Sequence, residues 1–263
     1  MEHALFITRL DHLHYWNGGF SRLYFGNEFC ERLLLTPEEL TAAIRFTFDK
    51  GIEFTMVTPY VTETGLNRVE TLFDILANEK RGSEVVFNDY GVLRLMRRRF
   101  SNLVPVMGRL LNKMKRGPRL MMVIDSLPEM TVEYFRNSSL TVPLMREFLM
   151  GYGVRRVELD NVLQGIDLPL DGLLVSVYVP YAYVTTTRMC LTASCDVPEM
   201  EERVGVFPCQ RECRKYTFGL TSEIMPVLLI RKGNTIFFEN HNLPDDLEAR
   251  GVSRLVIQPE IPM

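Results

Sequence analysis

The sequence predicts an α/β protein with a (β/α) barrel-like fold, related to the TIM barrel and either complete or incomplete. Short runs rich in Val, Ile, Leu and Phe alternate with longer amphipathic segments. Strand and helix together recur about every 25 to 35 residues, as in βαβ units with parallel strands. No G-x-G-x-x-G turn follows the first strand candidate, which argues against a dinucleotide-binding Rossmann site.

Apolar, β-branched runs predict six strands, and apolar residues at helical spacing predict the helices between them. The first helix has the clearest start signals: Thr36 is a good N-cap, Pro37 suits the first turn, and Glu38 and Glu39 suit the positive end of the helix dipole. The predicted strands are 22–25, 53–57, 84–87, 103–107, 154–159 and 173–179. The predicted helices are 37–50, 66–78, 91–99, 128–135 and 142–151.

The pattern changes in the last third of the chain. Residues 227–231 and 235–239 flank the turn Lys232-Gly233-Asn234 and predict a β-hairpin. A helix-like piece at 245–250 then leads to a strand at 254–257. No linker or repeat divides the sequence, so we predict one barrel-like domain over 1–263, with a cysteine-rich segment at 190–213 and a C-terminal hairpin plus strand.

Charge and hydropathy exclude several classes of protein. Thirty Lys and Arg against 33 Asp and Glu give a net charge of −3, which demands no acidic partner. The N-terminus lacks a secretory signal pattern, and the longest apolar run, 172–184, is shorter than the roughly 20 residues that span a bilayer. We therefore expect a cytoplasmic protein without a membrane span, in which clustered thiols bind metal or do redox work more often than they form disulfides.

The cysteines are unevenly placed. Four of the five lie within 24 positions, whereas Cys30 is far away in the sequence. Pro208 and the run that follows it predict the start of a helix with Cys209 and Cys213 on one face. Nearby Arg and Lys side chains would favour thiolates, and such thiolates ligate zinc or an iron–sulfur cluster. The spacing alone does not identify the metal.

Several segments, in this order, resemble those of the collagenase-like peptidase family, also called the U32 peptidases, and most closely its UbiV branch of ubiquinone-biosynthesis proteins. The similarity covers nearly the whole chain. The segments are Y-F-G-N-E-F-C at 24–30, V-T-P-Y-V-T at 57–62, V-V-F-N-D-Y-G-V-L at 85–93, G-R-L-L-N at 108–112 with P-R at 118–119, R-V-E at 156–158, and G-V at 251–252.

The resemblance implies a barrel-like fold and, in the UbiV branch, a 4Fe-4S cluster held by four cysteines. The matching positions are Cys30 after the first strand motif, Cys190 at the start of C-L-T-A, and the pair Cys209 and Cys213. Cys195 would then be the spare thiol. Two alternatives stay open: Cys195 replaces Cys190 as a ligand, or zinc is bound by the four late cysteines.

The resemblance also implies a function: a component of an oxygen-independent hydroxylation system such as that of ubiquinone biosynthesis. It would work as a heterodimer with a second, UbiU-like family member, and prephenate is the implied hydroxyl source in related proteins. The alternatives are an RNA-base hydroxylation factor, a non-catalytic cluster-bearing partner subunit, and a zinc-binding protein. Whether the chain is itself an enzyme stays open, and proteolysis is not supported because H-E-x-x-H and G-x-S-x-G are absent.

Polar residues after or within the predicted strands are candidates for catalysis. Asp89 or Glu158 would act as acid or base, and Arg109 would hold a carboxylate bidentately. The structural alternatives are that Asp89 caps the next helix and that Glu158 pairs with Arg156 or another internal cation.

A basic segment offers a different kind of site. Residues 94–119 hold nine Lys or Arg and no acid. Such a segment could bind RNA phosphates or an anionic metabolite such as prephenate, or form a solvated helix face that docks an acidic partner.

Overall fold

A computed structural model describes residues 1–167, 172–200 and 207–263 of the chain. Its strands, in chain order, are β1 (Glu2–Ile7), β2 (Arg22–Gly26), β3 (Glu53–Val57), β4 (Glu84–Phe87), β5 (Val104–Met107), β6 (Arg156–Asp160), β7 (Leu174–Val179), β8 (Tyr181–Thr186), β9 (Phe218–Leu220), β10 (Leu229–Lys232), β11 (Thr235–Glu239) and β12 (Val252–Ile257). Eight of these described strands, β1 to β7 and β12, close into a barrel in which all neighbours are parallel. The predicted barrel is therefore confirmed, and it is complete.

The predicted helices are also confirmed, within a few residues at their ends. They are α1 (Pro37–Lys50), α2 (Glu63–Glu79), α3 (Tyr90–Arg99), α4 (Glu129–Arg136) and α5 (Pro143–Gly151). Thr36 and Glu39 form a capping box at the start of α1, and Gly51 ends the helix with φ 65°, a backbone conformation that glycine adopts without strain. No helix of the described residues is long and apolar enough to cross a membrane.

The helix-like piece predicted at 245–250 was wrong, because these residues form turns. Only six residues separate Pro244 from Gly251, and Leu247 is the one buried apolar side chain among them. That is too little length and too little apolar surface to stabilise a helix. Strand β1 was not predicted.

Two apolar layers and one charged layer fill the barrel and its surroundings. The largest buried cluster lies between the outer strand faces and the helices. Inside the barrel, Phe6, Tyr24 and Tyr178 pack edge to face. The N-terminal end of the barrel holds an ion-pair network of Glu2, Arg22, Glu84, Arg156 and Arg254. The barrel is thus a packed core, and a site must lie at one of its ends.

A four-stranded antiparallel sheet, in the order β8-β11-β10-β9, is inserted between β7 and β12. It contains the predicted hairpin, in which Lys232 pairs with Thr235 across the Gly233-Asn234 turn. The sheet packs against the segment after β2 through a third apolar cluster that includes Phe29, Tyr183 and Phe237. It therefore covers the C-terminal ends of the barrel strands, the end where barrel enzymes place their active sites.

Candidate functional site

Cys30 lies just after β2, under the inserted sheet. The side chain of Asn27 accepts hydrogen bonds from the backbone N–H groups of Phe29 and Cys30, each at 3.0 Å, and so fixes the turn that carries the thiol. From the sheet side, the amide of Asn234 donates to the carbonyl of Phe29 at 2.7 Å. The hairpin turn is thereby tied to the loop of Cys30.

Two further loops bring the late cysteines to the same end of the barrel. The buried carboxylate of Glu212 accepts from the backbone N–H of Ser194 at 2.7 Å and of Gln210 at 3.0 Å. One side chain thus joins the loop of Cys190 to that of Cys209 and Cys213. The guanidinium of Arg211 also donates to the carbonyl of Arg32, close to Cys30 in sequence, at 3.3 Å.

The prediction of a helix with Cys209 and Cys213 on one face was wrong. Only Glu212–Arg214 forms a short 3-10 turn, and Cys209 lies outside it. Arg211, immediately before this turn, has φ 64° and is left-handed, which a continuous helix does not allow. The inward-facing Glu212 explains the break, because its carboxylate is occupied by N–H groups of two loops.

Neighbouring thiols contribute to the raised pKa values of Cys30 and Cys213. Burial raises the pKa of Cys30, and charge on Cys209 and Cys190 raises it further. Burial also raises the pKa of Cys213 to about 12, again with contributions from Cys190, Cys30 and Cys209. These four are the cysteines that the family resemblance selects. Cys195 is exposed; burial, then the carboxylates of Asp196 and Glu212, and least of all Cys190 raise its pKa.

All five cysteines are free thiols. Within the part of the chain that the structure describes, no three His, Cys, Asp or Glu side chains lie close enough together to ligate a single metal ion. One thiol sulfur already has a backbone donor: the N–H of Arg211 lies 3.4 Å from Sγ of Cys209. Sγ of Cys190 lies 3.2 Å from the hydroxyl of Thr192.

Arg109 is fully engaged inside the protein. Its guanidinium pairs with Glu28 at 2.6 Å and with Asp160 at 2.9 Å, donates to the carbonyl of Tyr181 at 2.9 Å, and stacks on the ring of Tyr178. Arg109 does bind a carboxylate through two nitrogens, but that carboxylate is Glu28 of the chain itself. Arg109 thereby joins the ends of β2, β5 and β6 and the start of β8, and a catalytic role for it stays a prediction.

Asp89 is the N-cap of α3. Its carboxylate accepts from the backbone N–H of Gly91 and, at 3.2 Å, from that of Val61. These contacts give Asp89 a structural role, which is the helix-capping alternative stated for this residue.

Glu158 lies on β6 inside the barrel and is completely buried. Burial raises its pKa to about 7, although Arg254 and Arg156 act in the opposite direction. One carboxyl oxygen accepts from the hydroxyl of Tyr24 at 3.0 Å, and the other has no partner. Glu158 is thus a titratable group in the barrel core, separate from the thiols.

The basic segment is divided between the interior and the surface. Arg109 and Arg116 are buried, and both pair with Asp160. Arg99 pairs with Glu70 on the surface. The other cations of the segment, which are exposed, are Arg94, Arg97, Arg98, Lys113, Lys115 and Arg119. Only these six are therefore available to an anionic ligand.

Two structural carboxylates are absent from the candidates drawn from sequence. Glu28 lies within Y-F-G-N-E-F-C, two residues before Cys30, and no local pattern there indicates a buried ion pair. Glu212 lies between the last two cysteines and reads as an exposed helix residue. The sequence of β6 does indicate a charged interior face. Its charged residues alternate with apolar ones, so that Arg156, Glu158 and Asp160 share one face of the strand.

Comparison with known proteins gives similarity without an assigned family. No protein-family model and no curated protein matches the sequence. Among solved structures, the chain is similar to a U32 peptidase, with 10% identity, a TM-score of 0.48, and 100% of this chain and 94% of the other covered. It is also similar to a mutant class V chitinase from Cycas revoluta in complex with (GlcNAc)3, with 9% identity, a TM-score of 0.39, and coverage of 98% and 94%.

Proposed function

We propose that this protein is an iron–sulfur protein of the U32 peptidase family and a component of an oxygen-independent hydroxylation system. A 4Fe-4S cluster would be held by Cys30, Cys190, Cys209 and Cys213. One observation carries the proposal: Cys30 lies under the inserted sheet, and hydrogen bonds of Glu212 and Arg211 tie the loops of Cys190, Cys209 and Cys213 to one another and to the segment after Cys30.

The donor set fits such a cluster. Four cysteine thiolates are the usual ligands of 4Fe-4S clusters, and hydrogen bonds to the sulfurs tune them. The N–H of Arg211 supplies a hydrogen bond to the sulfur of Cys209.

A bound cluster would supply electron transfer or direct activation of a substrate. Asn27, Glu212 and the hairpin turn would hold the loops that carry the four thiols, of which Cys213 is buried and the other three are half-buried. Raised thiol pKa values mean that cluster binding releases protons. Participation in hydroxylation, a UbiU-like partner subunit and prephenate as an anionic ligand rest on the sequence resemblance.

Anaerobic purification with iron, sulfide and zinc analysis tests the proposal. We expect about four iron and four sulfide per chain and broad visible absorbance. Cys190→Ala should lose most of the iron, because it removes a ligand. Cys195→Ala is the matched control, since it removes an exposed thiol of the same loop, and it should retain the iron.

Zinc in place of iron, or equal iron loss in both variants, would contradict the ligand set. Co-purification with a second family member is the separate test of the partner. Turnover by the isolated chain would exclude the alternative of a non-catalytic subunit, and salt-sensitive retention of RNA would favour the alternative of an RNA-base hydroxylation factor.

A further inference from the structure

An apolar groove lies between α3 and α5 on the outside of the barrel, far from the thiols in the fold. The groove has a volume of about 880 Å³, and its floor is formed largely by apolar side chains of the two helices. Leu144, at 72% exposure, is the most exposed of them. Arg94, Arg97 and Arg98 form its basic rim. A large exposed apolar surface with a polar rim is typical of an interaction site.

The neighbouring helix α4 has no buried residue. Met130 and Tyr134, one helical turn apart, are 79% and 72% exposed. Glu129 and Glu133 form a parallel exposed acidic stripe on the same helix. A second groove, which includes Tyr134, meets the first at Val142. Tyr134 of helix α4 therefore lies on a groove that adjoins the α3–α5 groove.

The arginines of the groove rim and the glutamates of α4 have opposite charges, and neither group forms an ion pair within the described residues. In the segment 94–119, the ion pairs of the described residues involve only Arg99, Arg109 and Arg116. None of the ion pairs in the described part of the chain includes Glu129 or Glu133. One face thus offers both an apolar groove with a basic rim and an apolar helix with an acidic stripe.

We propose that this face binds a second copy of the chain, with α4 of each copy lying in the α3–α5 groove of the other. A two-fold contact needs a surface that is complementary to itself, and the face carries both halves. The acidic stripe would meet the arginine rim while Met130 and Tyr134 enter the apolar floor. This contact is independent of the cluster and of any partner subunit that the hydroxylation system requires.

Other occupants fit the charges less well. The acidic stripe of α4 would be repelled by anionic lipid headgroups and by RNA phosphates. The apolar floor of the groove also offers nothing to a phosphate backbone. A protein surface with apolar and acidic side chains satisfies both features, and the chain supplies that surface itself.

Light scattering on the full-length chain over a range of concentrations and salt tests the proposal. We expect twice the monomer mass at micromolar concentration and a shift toward monomer at high salt. Arg97→Glu and Glu133→Arg, each alone, should weaken the dimer roughly tenfold or more, because each places like charges opposite each other. Mixing the two variants should restore the dimer, since the mixed dimer re-forms one of its two charge pairs as in the wild type and the other with inverted sign.

Two further variants sharpen the test. Arg45→Glu, the same charge change on α1 and away from the face, should leave the mass unchanged. Leu144→Asp should give a monomer without loss of folding, because the side chain is exposed. A monomer at every concentration overturns the proposal, as does a dimer that all these variants leave intact. A monomer that sediments with vesicles of phosphatidylcholine and phosphatidylglycerol would assign the face to a membrane instead.

Discussion

At the scale of single residues, two buried charged groups differ in whether their charge is compensated. Glu158 and Arg109 are both completely buried. Arg109 is compensated by two carboxylates, whereas Glu158 has an oxygen without a partner and a pKa of about 7. We therefore expect a neutral substitution to stabilise the fold at Glu158 and to destabilise it at Arg109.

Glu158→Gln should stabilise the protein at pH 8 more than at pH 5. The pKa of this carboxyl is raised from 4.5 in the unfolded state to about 7 in the fold, so the unfolded chain releases the proton at a lower pH than the folded chain. The stability of the wild type therefore falls as the pH rises between those values. Glutamine cannot ionise, and the difference between variant and wild type should change by about 2 kcal/mol between pH 5 and pH 8. Urea unfolding at both pH values measures it.

The exposed Glu147→Gln serves as a control and should show no such change with pH. A difference between Glu158→Gln and wild type that is constant over this pH range would mean that Glu158 is ionised throughout.

Arg109→Met should destabilise the chain by about 3 to 5 kcal/mol, because it leaves Glu28 and Asp160 buried without their shared cation. Arg99→Met is the matched comparison, since Arg99 forms an exposed pair with Glu70, and it should cost about 1 kcal/mol or less. Chemical unfolding of both variants at neutral pH measures the contrast. Equal losses would show that the buried pairs contribute no more than a surface pair.

At the scale of elements, the hairpin turn between β10 and β11 packs closely against Cys213. A Cβ on Gly233 would lie within 2.2 Å of Cε of Met263 and 3.1 Å of Cβ of Cys213, and its φ is 61°. Only glycine fits both this backbone conformation and this space. The turn thus helps to keep Cys213 in place.

Gly233→Ala should lower the free energy of unfolding and expose Cys213. Gly51→Ala is the control, since Gly51 has φ 65° but open space around its Cβ position, and it should cost only the conformational strain of about 1 to 2 kcal/mol. Gly233→Ala should cost somewhat more, because the end of the Met263 side chain and Cys213 must also shift. The rate at which a thiol reagent modifies Cys213 in cluster-free protein should rise for Gly233→Ala alone; equal rates would refute the contact.

Local sequence signals predict the elements that local interactions determine. The capping box of α1 and the β-branched runs of the barrel strands lie within a few residues of the structure they specify. The inserted sheet depends on distant pairing, since β8 pairs with β11 about fifty residues later, and only its hairpin could be predicted. The turn at Arg211 follows from contacts of Glu212 with a separate loop, which no local pattern contains.

At the scale of the whole molecule, the same limit applies to the candidate site. The proposed thiol set stays a prediction that depends on the resemblance, which pairs Cys30 with three late cysteines. The roles of Asp89 and Arg109 could not be decided from sequence, because helix capping and internal ion pairing depend on neighbours brought together by barrel closure. Polar residues at strand ends serve the architecture as readily as chemistry.

Barrel closure also orders events during biosynthesis. The ring of strands is completed only when β1 pairs with β12, Glu2 opposite Arg254, and three of the four thiols belong to the insertion that precedes β12. A nascent chain that has exposed Cys30 therefore has neither the remaining ligands nor the closed barrel that supports them. The proposed cluster would thus be inserted only after translation has passed β12, so the machinery that delivers it would meet an almost folded barrel.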